Sequence, residues 1–363
     1  GNEQNRESPS DPSLQALQCH FTWNFEIRDK VDAAHILQTL ALRIAHTHYQ
    51  NQPTFLAMQA YLYHLQGQYE DALQSLREAE EILQRDHPDN FPRQGLVLVI
   101  YGNYAWLYYH LAHYDLVELY LDKVRKICSS LKSRSPYAAQ IPEIHAQKGW
   151  SLLAAGFRNG REATECFQMA LREDEANGEF LAGLAIAAFA SWTHSPNSAS
   201  RNAAREKLGA IIREQQQNYE AKVYLAKTLK SVNREQAEAL LEDVVQNSLD
   251  PEVLRNAAKS FQREFVEKSI SILERAISLN PNYHLLHYDL DFYPHLPRVW
   301  EECFYLLDLV LSGAQDSVQE VNVAEPLCNS DHKIIKFNIS GGGGHHQRSP
   351  TQKPLISERG TTQ

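Results

Sequence analysis

The 363-residue sequence has no uninterrupted apolar run of the roughly 18 residues that a membrane-spanning helix requires. Its first stretch, GNEQNRESPSDPSLQ, is polar and lacks the apolar core of a secretory signal peptide. Cysteine is also scarce, and the five residues are scattered without a Cys-x-x-Cys pair. This usage is typical of reduced thiols and argues against a disulfide framework or a zinc site. We therefore expect a cytoplasmic protein with no membrane association.

Patterns that carry catalysis are absent as well. The glycine run at 341–344 lacks the Lys-Ser/Thr pair and the preceding strand of a phosphate-binding loop, so we interpret it as a linker. The 16 histidines show no metal-ligand spacing. The sequence supplies no recognisable pair of nucleophile and base. We expect no enzymatic activity, no catalytic residues, no cofactor and no metal.

Acidic residues outnumber basic ones, since the sequence contains 35 Lys and Arg but 45 Asp and Glu, which gives a net charge of −10. That balance argues against nucleic-acid binding over the whole surface, and no DNA partner is expected. An anionic ligand requires a locally basic concavity. Residues 201–275 come nearest to one, with 13 Lys and Arg against 12 Asp and Glu. Basic residues recur there on predicted helices, although a solvated face explains the same pattern: Lys222, Lys227, Arg255, Lys259 and Arg263.

What the sequence does contain is helical periodicity, most clearly between Tyr101 and Cys128. Small and apolar residues recur at helical spacing on two segments that a short turn at Ala112 separates: Ala105 and Tyr108, then Val117, Leu121 and Val124. Small side chains allow the two helix backbones to approach closely. Such a hairpin cannot bury its apolar face alone and requires stacked neighbours, which is the arrangement of a tetratricopeptide repeat.

The same pattern recurs along the chain and predicts the fold. A first repeat covers residues 56–83, with Gly67 at the left-handed position that closes its first helix. Another begins near Gly149, an alanine-rich helix follows at 180–192, and a regular repeat covers 257–281. About five stacked hairpins make an all-α, right-handed tetratricopeptide superhelix, an α-solenoid with a concave inner surface.

Composition divides the chain into four segments. We expect residues 1–13 to be disordered, because they are polar and contain Pro and Ser. Capping helices and tetratricopeptide repeats occupy 14–195, and a polar loop at 193–202 leads to further repeats at 196–313. After a last predicted helix at 300–311 the repeat is lost, so we expect a disordered tail at 314–363.

Three stretches are more specific than the generic repeat: CHFTW at 19–23, AYLYHLQGQ at 60–68 and GNYAWLYYH at 102–110. They resemble the family of interferon-induced proteins with tetratricopeptide repeats, and the likeness covers roughly residues 14–293. The resemblance implies a non-enzymatic, cytoplasmic antiviral effector that holds the 5′ end of foreign single-stranded RNA in the superhelix and restricts its translation. The RNA end is a triphosphate or a cap that lacks 2′-O-methylation. Family siblings or the translation initiation machinery are implied as protein partners.

The resemblance also assigns candidate RNA-binding residues. Trp150 matches the tryptophan of the family's pocket, Ile186 the apolar residue on the next helix, and Arg255 an arginine of the second half. Lys259 and Arg263 follow Arg255 at helical spacing and complete the candidate set. From periodicity alone, packing inside the repeat is the alternative role of Trp150.

The chain departs from the family at three places in this pocket. The triphosphate-binding lysine falls on Ala154, its partnering arginine on Ala190, and a His-Gln pair on Tyr288 and Asp289. Because charge-assisted contacts hold a buried triphosphate, each lost cation weakens the expected binding by ~1.5–3 kcal/mol. Two functions therefore remain open: RNA binding, and a protein-interaction scaffold that uses the same groove without recognising an RNA end.

Overall fold

The computed structural model describes residues 11–292, with gaps at 26, 28–29, 47–51, 90–94 and 262–265, together with residues 318–324 and 334–339. The chain divides into two compact units, 1–312 and 313–363. Along the first unit the helices are α1 (Pro12–Gln15), α2 (Lys30–His46), α3 (Gln52–Leu65), α4 (Tyr69–Asp86), α5 (Gly95–His110), α6 (Tyr114–Ser130), α7 (Pro142–Ala155), α8 (Gly160–Glu173), α9 (Gly178–His194), α10 (Ser198–Glu214), α11 (Tyr219–Leu229), α12 (Arg234–Asn247), α13 (Pro251–Phe261), α14 (Val266–Leu279) and α15 (His284–Phe292).

Consecutive helices of the first unit pack as hairpins. The pairs α3–α4, α5–α6, α7–α8, α9–α10, α11–α12 and α13–α14 are all in close contact. The first helices of successive hairpins also contact one another, from α3 through α5, α7, α9 and α11 to α13. This stacking confirms the predicted all-α tetratricopeptide solenoid. Helix α2 lies against this layer of first helices and contacts α7 and α13.

Short turns with a left-handed residue close the first two hairpins. Gly67, between α3 and α4, has a φ of +76°, as the sequence predicts. Ala112 holds the equivalent position between α5 and α6 with a φ of +57°, a conformation that glycine adopts at lower cost. The tight turns keep each pair of helices side by side, so that Ala105 and Val117 are buried between them.

The boundary predicted at residue 195 lies inside a hairpin. The loop expected at 193–202 is wrong for much of its length, because α10 already begins at Ser198. The Asn197 side chain accepts a hydrogen bond from the Ser200 N–H at 2.8 Å, and the Ser200 hydroxyl accepts one from the Asn197 N–H at 3.3 Å. This capping box starts a helix within a polar stretch. The repeats on both sides therefore form one continuous stack.

Close packing around α8 centres on Phe167, which is fully buried. A Cβ atom on Gly149 of α7 would lie 2.8 Å from Cε2 of this ring, and one on Gly183 of α9 would lie 2.2 Å from Cε1. Protein interiors are packed too densely to absorb such overlaps without displacement. The two glycines thus allow three helices to meet around one aromatic ring.

The CHFTW segment joins the N-terminal residues to three helices. The backbone N–H of His20 donates to Asn103 Oδ1 on α5 at 3.1 Å. Asn103 Nδ2 donates to His20 Nδ1 at 3.1 Å and to the Ala57 carbonyl on α3 at 2.9 Å. With Nδ1 accepting, the His20 Nε2–H donates to Ser151 Oγ on α7 at 2.9 Å. Burial lowers the pKa of His20 to about 3, so the ring is neutral at physiological pH.

The predicted N-terminal disorder at 1–13 needs a correction at its end. Residues 1–10 lie outside the described part of the chain, but Pro12–Gln15 forms α1. Leu14 is buried, and its carbonyl accepts a 3.0 Å hydrogen bond from Trp106 Nε1 on α5. This long-range contact fixes α1 against α5, which the polar composition of the segment does not reveal.

The second unit contains two antiparallel strands, β1 (Val318–Ala324) and β2 (Ile334–Ile339), with Val321 opposite Phe337. The prediction of a disordered tail at 314–363 is therefore wrong for these two segments. Apolar residues alternate with polar ones near the end of β2, which is the two-residue period of a strand. The rest of this tail and the helix predicted at 300–311 lie outside the described residues.

Candidate functional site

The first unit contains a cavity of about 1030 Å³. Its walls come from α2 and from the first helices of four hairpins, α7, α9, α11 and α13, with further residues from the turn before α8, from α10 and from α12. Because the first helices lie side by side, each contributes one stripe of side chains at helical spacing. The chemistry of the cavity therefore depends on residues from repeats that are far apart in sequence.

Three aromatic rings pack together in the cavity wall. Phe189 on α9 and Tyr224 on α11 are stacked, with ring centroids 4.4 Å apart. Phe157, in the turn before α8, meets these rings edge-on at centroid distances of 6.0 and 5.6 Å. The Tyr224 hydroxyl donates to Glu220 Oε1 at 3.0 Å, which fixes the orientation of the tyrosine. Phe157 is the half-buried member and offers apolar surface to a ligand.

Acidic residues of the cavity are held by neighbouring donors. Three of them form ion pairs: Arg43–Glu220 at 3.6 Å, Arg158–Asp32 at 3.6 Å and Arg234–Glu238 at 2.9 Å. Asp250 accepts hydrogen bonds from the N–H groups of Glu252 and Val253 at 2.9 and 3.3 Å, at the start of α13. These contacts reduce the repulsion that the carboxylates exert on an anion.

Lys227, on α11, and Lys230, the residue that follows the end of α11, are basic residues of the cavity wall. Lys227 Nζ donates to Asn256 Oδ1 at 3.4 Å, and Lys230 Nζ donates to the Ser260 carbonyl at 3.1 Å. Within the part of the chain that the structure describes, neither ammonium group has a carboxylate within 4.0 Å. Burial, followed by the charge of Lys259, lowers the pKa of Lys227 to about 8. Positive charge is therefore concentrated where α11 meets α13.

Of the predicted site residues that the structure describes, Lys259 alone lines the large cavity. Arg255 is held by acids: its Nε donates to Asp289 Oδ2 on α15 at 2.6 Å, and its Nη1 donates to Glu252 Oε1 at 3.2 Å. Lys259 Nζ lies 3.5 Å from the same Asp289 carboxylate. Asp289, which the resemblance matches to part of the family's His-Gln pair, thus neutralises Arg255. Arg263 lies outside the described residues.

Trp150 and Ile186 are core residues, each with 2% of its surface exposed. The Trp150 ring meets Phe167 edge-on, with centroids 5.1 Å apart. Trp150 borders a separate cavity of about 40 Å³, where Arg43 and Glu220 also lie. Neither Trp150 nor Ile186 borders the large cavity. Packing explains their positions, and their assignment as RNA-binding residues stays a prediction.

The two alanines that the resemblance matches to the family's cationic positions have different surroundings. Ala154 lines the large cavity, so a longer side chain at this position enters open space. Ala190 is fully buried and packs against Gly160 at the start of α8. A Cβ atom on Gly160 would lie 2.8 Å from the Cβ of Ala190. The start of α8 therefore occupies the space that a long side chain at 190 would need.

Sequence reasoning missed Lys230 and the aromatic group. Lys222, which the sequence grouped with Lys227, pairs instead with Asp243 on α12. The signal for Lys230 was its i, i+3 spacing from Lys227, which places both on one face of α11. The aromatic group left no local signal, because its three rings come from three separate elements.

Ser151, His20 and Asn103 form a hydrogen-bonded series that superficially resembles a catalytic triad. All three residues are fully buried, and none borders the cavities described above. A substrate has no access to Ser151 Oγ. We interpret the series as a structural network that cross-links α3, α5 and α7.

Metal and thiol chemistry receive no support from the described residues. No group of three or more His, Cys, Asp or Glu side chains among them is placed to hold a metal ion. Burial raises the pKa values of the free thiols of Cys19 and Cys166 to about 12 and about 11, which keeps them protonated and unreactive. Among the helices that the structure describes, none combines the length and apolar character needed to cross a membrane.

Comparison with known proteins finds no matching family profile, but individual relatives align over most of the chain. The human interferon-induced protein with tetratricopeptide repeats 2 is 35% identical over 297 residues, 78% of this chain and 60% of that protein. The human antiviral innate immune response effector IFIT1 is 35% identical over 289 residues, 77% of this chain and 58% of that protein. The mouse interferon-induced protein with tetratricopeptide repeats 3 is 32% identical over 283 residues, 77% of this chain and 67% of that protein.

Solved structures give the same result. The human IFIT1 dimer with m7Gppp-AAAA superimposes with a TM-score of 0.68 and 32% identity, over 77% of this chain and 61% of that one. The human IFIT1 dimer with PPP-AAAA gives a TM-score of 0.66 and 32% identity, over 77% and 62%. This chain spans about 60% of the length of the two human relatives described above. It belongs to the family of interferon-induced proteins with tetratricopeptide repeats.

Proposed function

We propose that this protein is a cytoplasmic, non-enzymatic antiviral effector that binds the 5′ end of single-stranded RNA in its large cavity and restricts translation of that RNA. The observation that carries the proposal is the basic wall of the cavity, where Lys227, Lys230 and Lys259 lie on adjacent helices. Family membership supports it, because structures of the human relative hold m7Gppp-AAAA and PPP-AAAA.

The cavity combines the two features that bind single-stranded RNA. Ammonium groups attract the phosphates, and apolar aromatic surface at Phe157 packs against a base, a contact worth ~1–3 kcal/mol. The volume of about 1030 Å³ is at the upper end of the ~300–1,000 Å³ typical of ligand pockets. The 5′ end of an RNA strand matches the size and the lining of this cavity. Binding alone keeps that end from the translation machinery. No catalytic step is required.

Binding is expected to be weak and strongly dependent on salt. Ala154 and Ala190 supply no cation, and Asp289 neutralises Arg255. Affinity then rests on a few lysines, and each phosphate contact contributes a slope of about −0.7 to the dependence of log affinity on log salt.

The test is a fluorescence-anisotropy titration of the whole chain with four RNAs of one sequence, which carry a 5′-triphosphate, monophosphate, unmethylated cap or hydroxyl. We expect binding that weakens as salt rises and that decreases in Lys259→Gln. The matched control is Lys126→Gln, whose side chain is 76% exposed on α6 and does not border the cavity. Absence of binding to all four RNAs at low salt contradicts the proposal.

A protein-interaction scaffold is the second candidate, and the neutralised Arg255 together with Ala154 favours it. In this function the cavity holds a segment of a family sibling or of the translation initiation machinery. Competition separates the two functions: RNA displaces a protein segment from the cavity only if both bind there. A purified partner that binds whether or not RNA is present, and is insensitive to Lys259→Gln, uses another surface.

A further inference from the structure

Lys227 borders the large cavity with neutral groups around its side-chain nitrogen. The Nζ atom donates to Asn256 Oδ1 at 3.4 Å and lies 6.0 Å from the centre of the Tyr224 ring. Tyr224 belongs to the aromatic group of the cavity, in which Phe157 is half-buried. Within the described part of the chain, no carboxylate oxygen lies within 4.0 Å of this Nζ. The amine of Lys227 therefore combines access to the cavity with an apolar neighbour.

The charges nearest to Lys227 are mostly positive. Lys259 and Arg255 on α13, and Lys230 just after α11, all act to lower its pKa. Glu252 acts in the opposite direction, but its carboxylate accepts a 3.2 Å hydrogen bond from Arg255. Burial is the largest influence, and the pKa of Lys227 falls to about 8. The site therefore favours the neutral amine, which is the nucleophilic form of a lysine.

The gain in neutral amine is large enough to change the reactivity of this side chain. At pH 7, about 10% of an amine with a pKa of about 8 is neutral, against ~0.04% for an ordinary lysine with a pKa of ~10.4. A less basic nucleophile is also intrinsically weaker, as it is for thiols, so only part of this ~250-fold difference appears in a rate. An activated acyl group is the electrophile that such an amine attacks in water.

We propose that Lys227 is an acylation site, at which the side-chain amine takes the acyl group of a thioester. The nitrogen attacks the carbonyl carbon and loses a proton to water, the carbon–sulfur bond breaks, and the leaving thiolate takes a proton from water. The products are an amide at Lys227 and a free thiol. The aromatic group beside the amine receives the acyl chain, and the positive charge of Lys259 stabilises the oxyanion of the tetrahedral intermediate.

The test follows acetylation of each lysine in the whole chain by mass spectrometry of its peptides after addition of acetyl-coenzyme A. At pH 7.5 we expect Lys227 to react at least tenfold faster than Lys126, which is 76% exposed on α6. The rate at Lys227 should level off above pH 8, because the amine is then largely neutral. Lys259→Gln removes the charge that lowers this pKa most, so its profile should move to higher pH.

Three outcomes with the wild-type chain overturn the proposal, and none depends on the folding of a variant. A rate at Lys227 less than tenfold above that at Lys126 removes the site. A rate at Lys227 that keeps rising to pH 10 removes the neutral amine as its cause. Reaction with acetyl phosphate but not with acetyl-coenzyme A removes the thioester as the donor. If hexanoyl-coenzyme A shows no greater preference for Lys227 than acetyl-coenzyme A does, the aromatic group does not receive the chain.

Acylation replaces a cation of the cavity wall by a neutral amide, so it should weaken RNA binding. This consequence rests on the RNA-binding function proposed above, whereas acylation is measured on the protein alone, so the two can fail separately. We expect treatment with acetyl-coenzyme A to lower the affinity of wild-type protein for 5′-triphosphate RNA at least threefold. In Lys227→Arg the same treatment should leave the affinity of that variant unchanged, because a guanidinium stays protonated. An equal loss in both proteins assigns the effect to other lysines and overturns the consequence.

Discussion

The two walls of the cavity differ in the positively charged side chains that they contribute. On the α7–α9 side the chain has alanines at 154 and 190, and the buried Ala190 packs directly against Gly160. On the α11–α13 side, Lys227 and Lys230 extend towards the cavity without carboxylate partners among the described residues. In this chain, lysines of the cavity without a carboxylate partner among the described residues lie on the wall formed by the later repeats. A solenoid permits such a difference between its walls, because each repeat keeps its own core while its first helix shares the cavity with the others.

The largest effect is expected from a cation at Ala190. In Ala190→Arg the guanidinium is forced into the packed start of α8, and we expect the free energy of unfolding to fall by about 3–5 kcal/mol because a charge without a partner is buried. Urea unfolding measures this change. An Ala190→Arg protein as stable as the wild type shows that α8 yields, and the contrast between the walls is then wrong.

A smaller effect is expected from the acid that neutralises Arg255. Asp289→Asn removes the carboxylate that binds both Arg255 and Lys259. We expect a loss of about 2 kcal/mol in unfolding free energy, since charge-assisted bonds contribute ~1.5–3 kcal/mol. RNA affinity should rise at the same time, because Lys259, which lines the cavity, loses its carboxylate partner. Opposite changes in stability and affinity separate this outcome from simple unfolding, and unchanged RNA affinity shows that Asp289 does not limit binding.

The variant Ala154→Lys tests whether a cation on the α7–α9 wall can do the work of the lysines on the α11–α13 wall. Ala154→Lys places an ammonium group in the cavity, and we expect triphosphate RNA to bind about tenfold more tightly, equivalent to about 1.4 kcal/mol. Introduced into the Lys227→Gln, Lys230→Gln background, the same change should restore the preference for triphosphate over hydroxyl RNA. Stability should stay within about 0.5 kcal/mol of the parent in both backgrounds. No gain in either background shows that the α7 wall does not reach the RNA end.

The smallest effect is a pH dependence of binding that originates at Lys227. Its pKa of about 8 means that the side chain is mostly protonated at pH 7 and mostly neutral at pH 9. Since a phosphate binds the protonated form, affinity is highest below the pKa and is expected to fall by up to about tenfold between pH 7 and pH 9. Lys259, Lys230 and Arg255 lower this pKa and Glu252 raises it.

Lys227→Arg is the control for that pH profile, because an arginine stays charged throughout this range. The profile of triphosphate RNA binding should become flatter in the variant, while the hydroxyl RNA shows little change in either protein. A wild-type profile that is already flat between pH 7 and pH 9 contradicts the assigned contact between Lys227 and the RNA.

Short-range sequence patterns correctly predicted the helical hairpins. Helical spacing predicted the helices that include Ala105 and Val124, and the requirement for φ above zero predicted Gly67, since both are short-range properties of the chain. The errors arose where polar composition was taken to indicate a loop or disorder. Polar segments became helix at 198–202 and at Pro12–Gln15, because a capping box and a long-range hydrogen bond stabilise them.

The sequence by itself determined the all-α repeat fold, because the period of small and apolar residues dictates which face of each helix must be buried. It also determined the family, through three short motifs. Only the tertiary structure decided where charge is available. Arg255 is neutralised by a carboxylate 34 residues away, and Trp150 packs on Phe167 in the core. The helical period of the sequence predicts which residues face the inside of the solenoid. Whether such a residue packs in the core, forms an ion pair or lines an open cavity depends on its partners from other repeats.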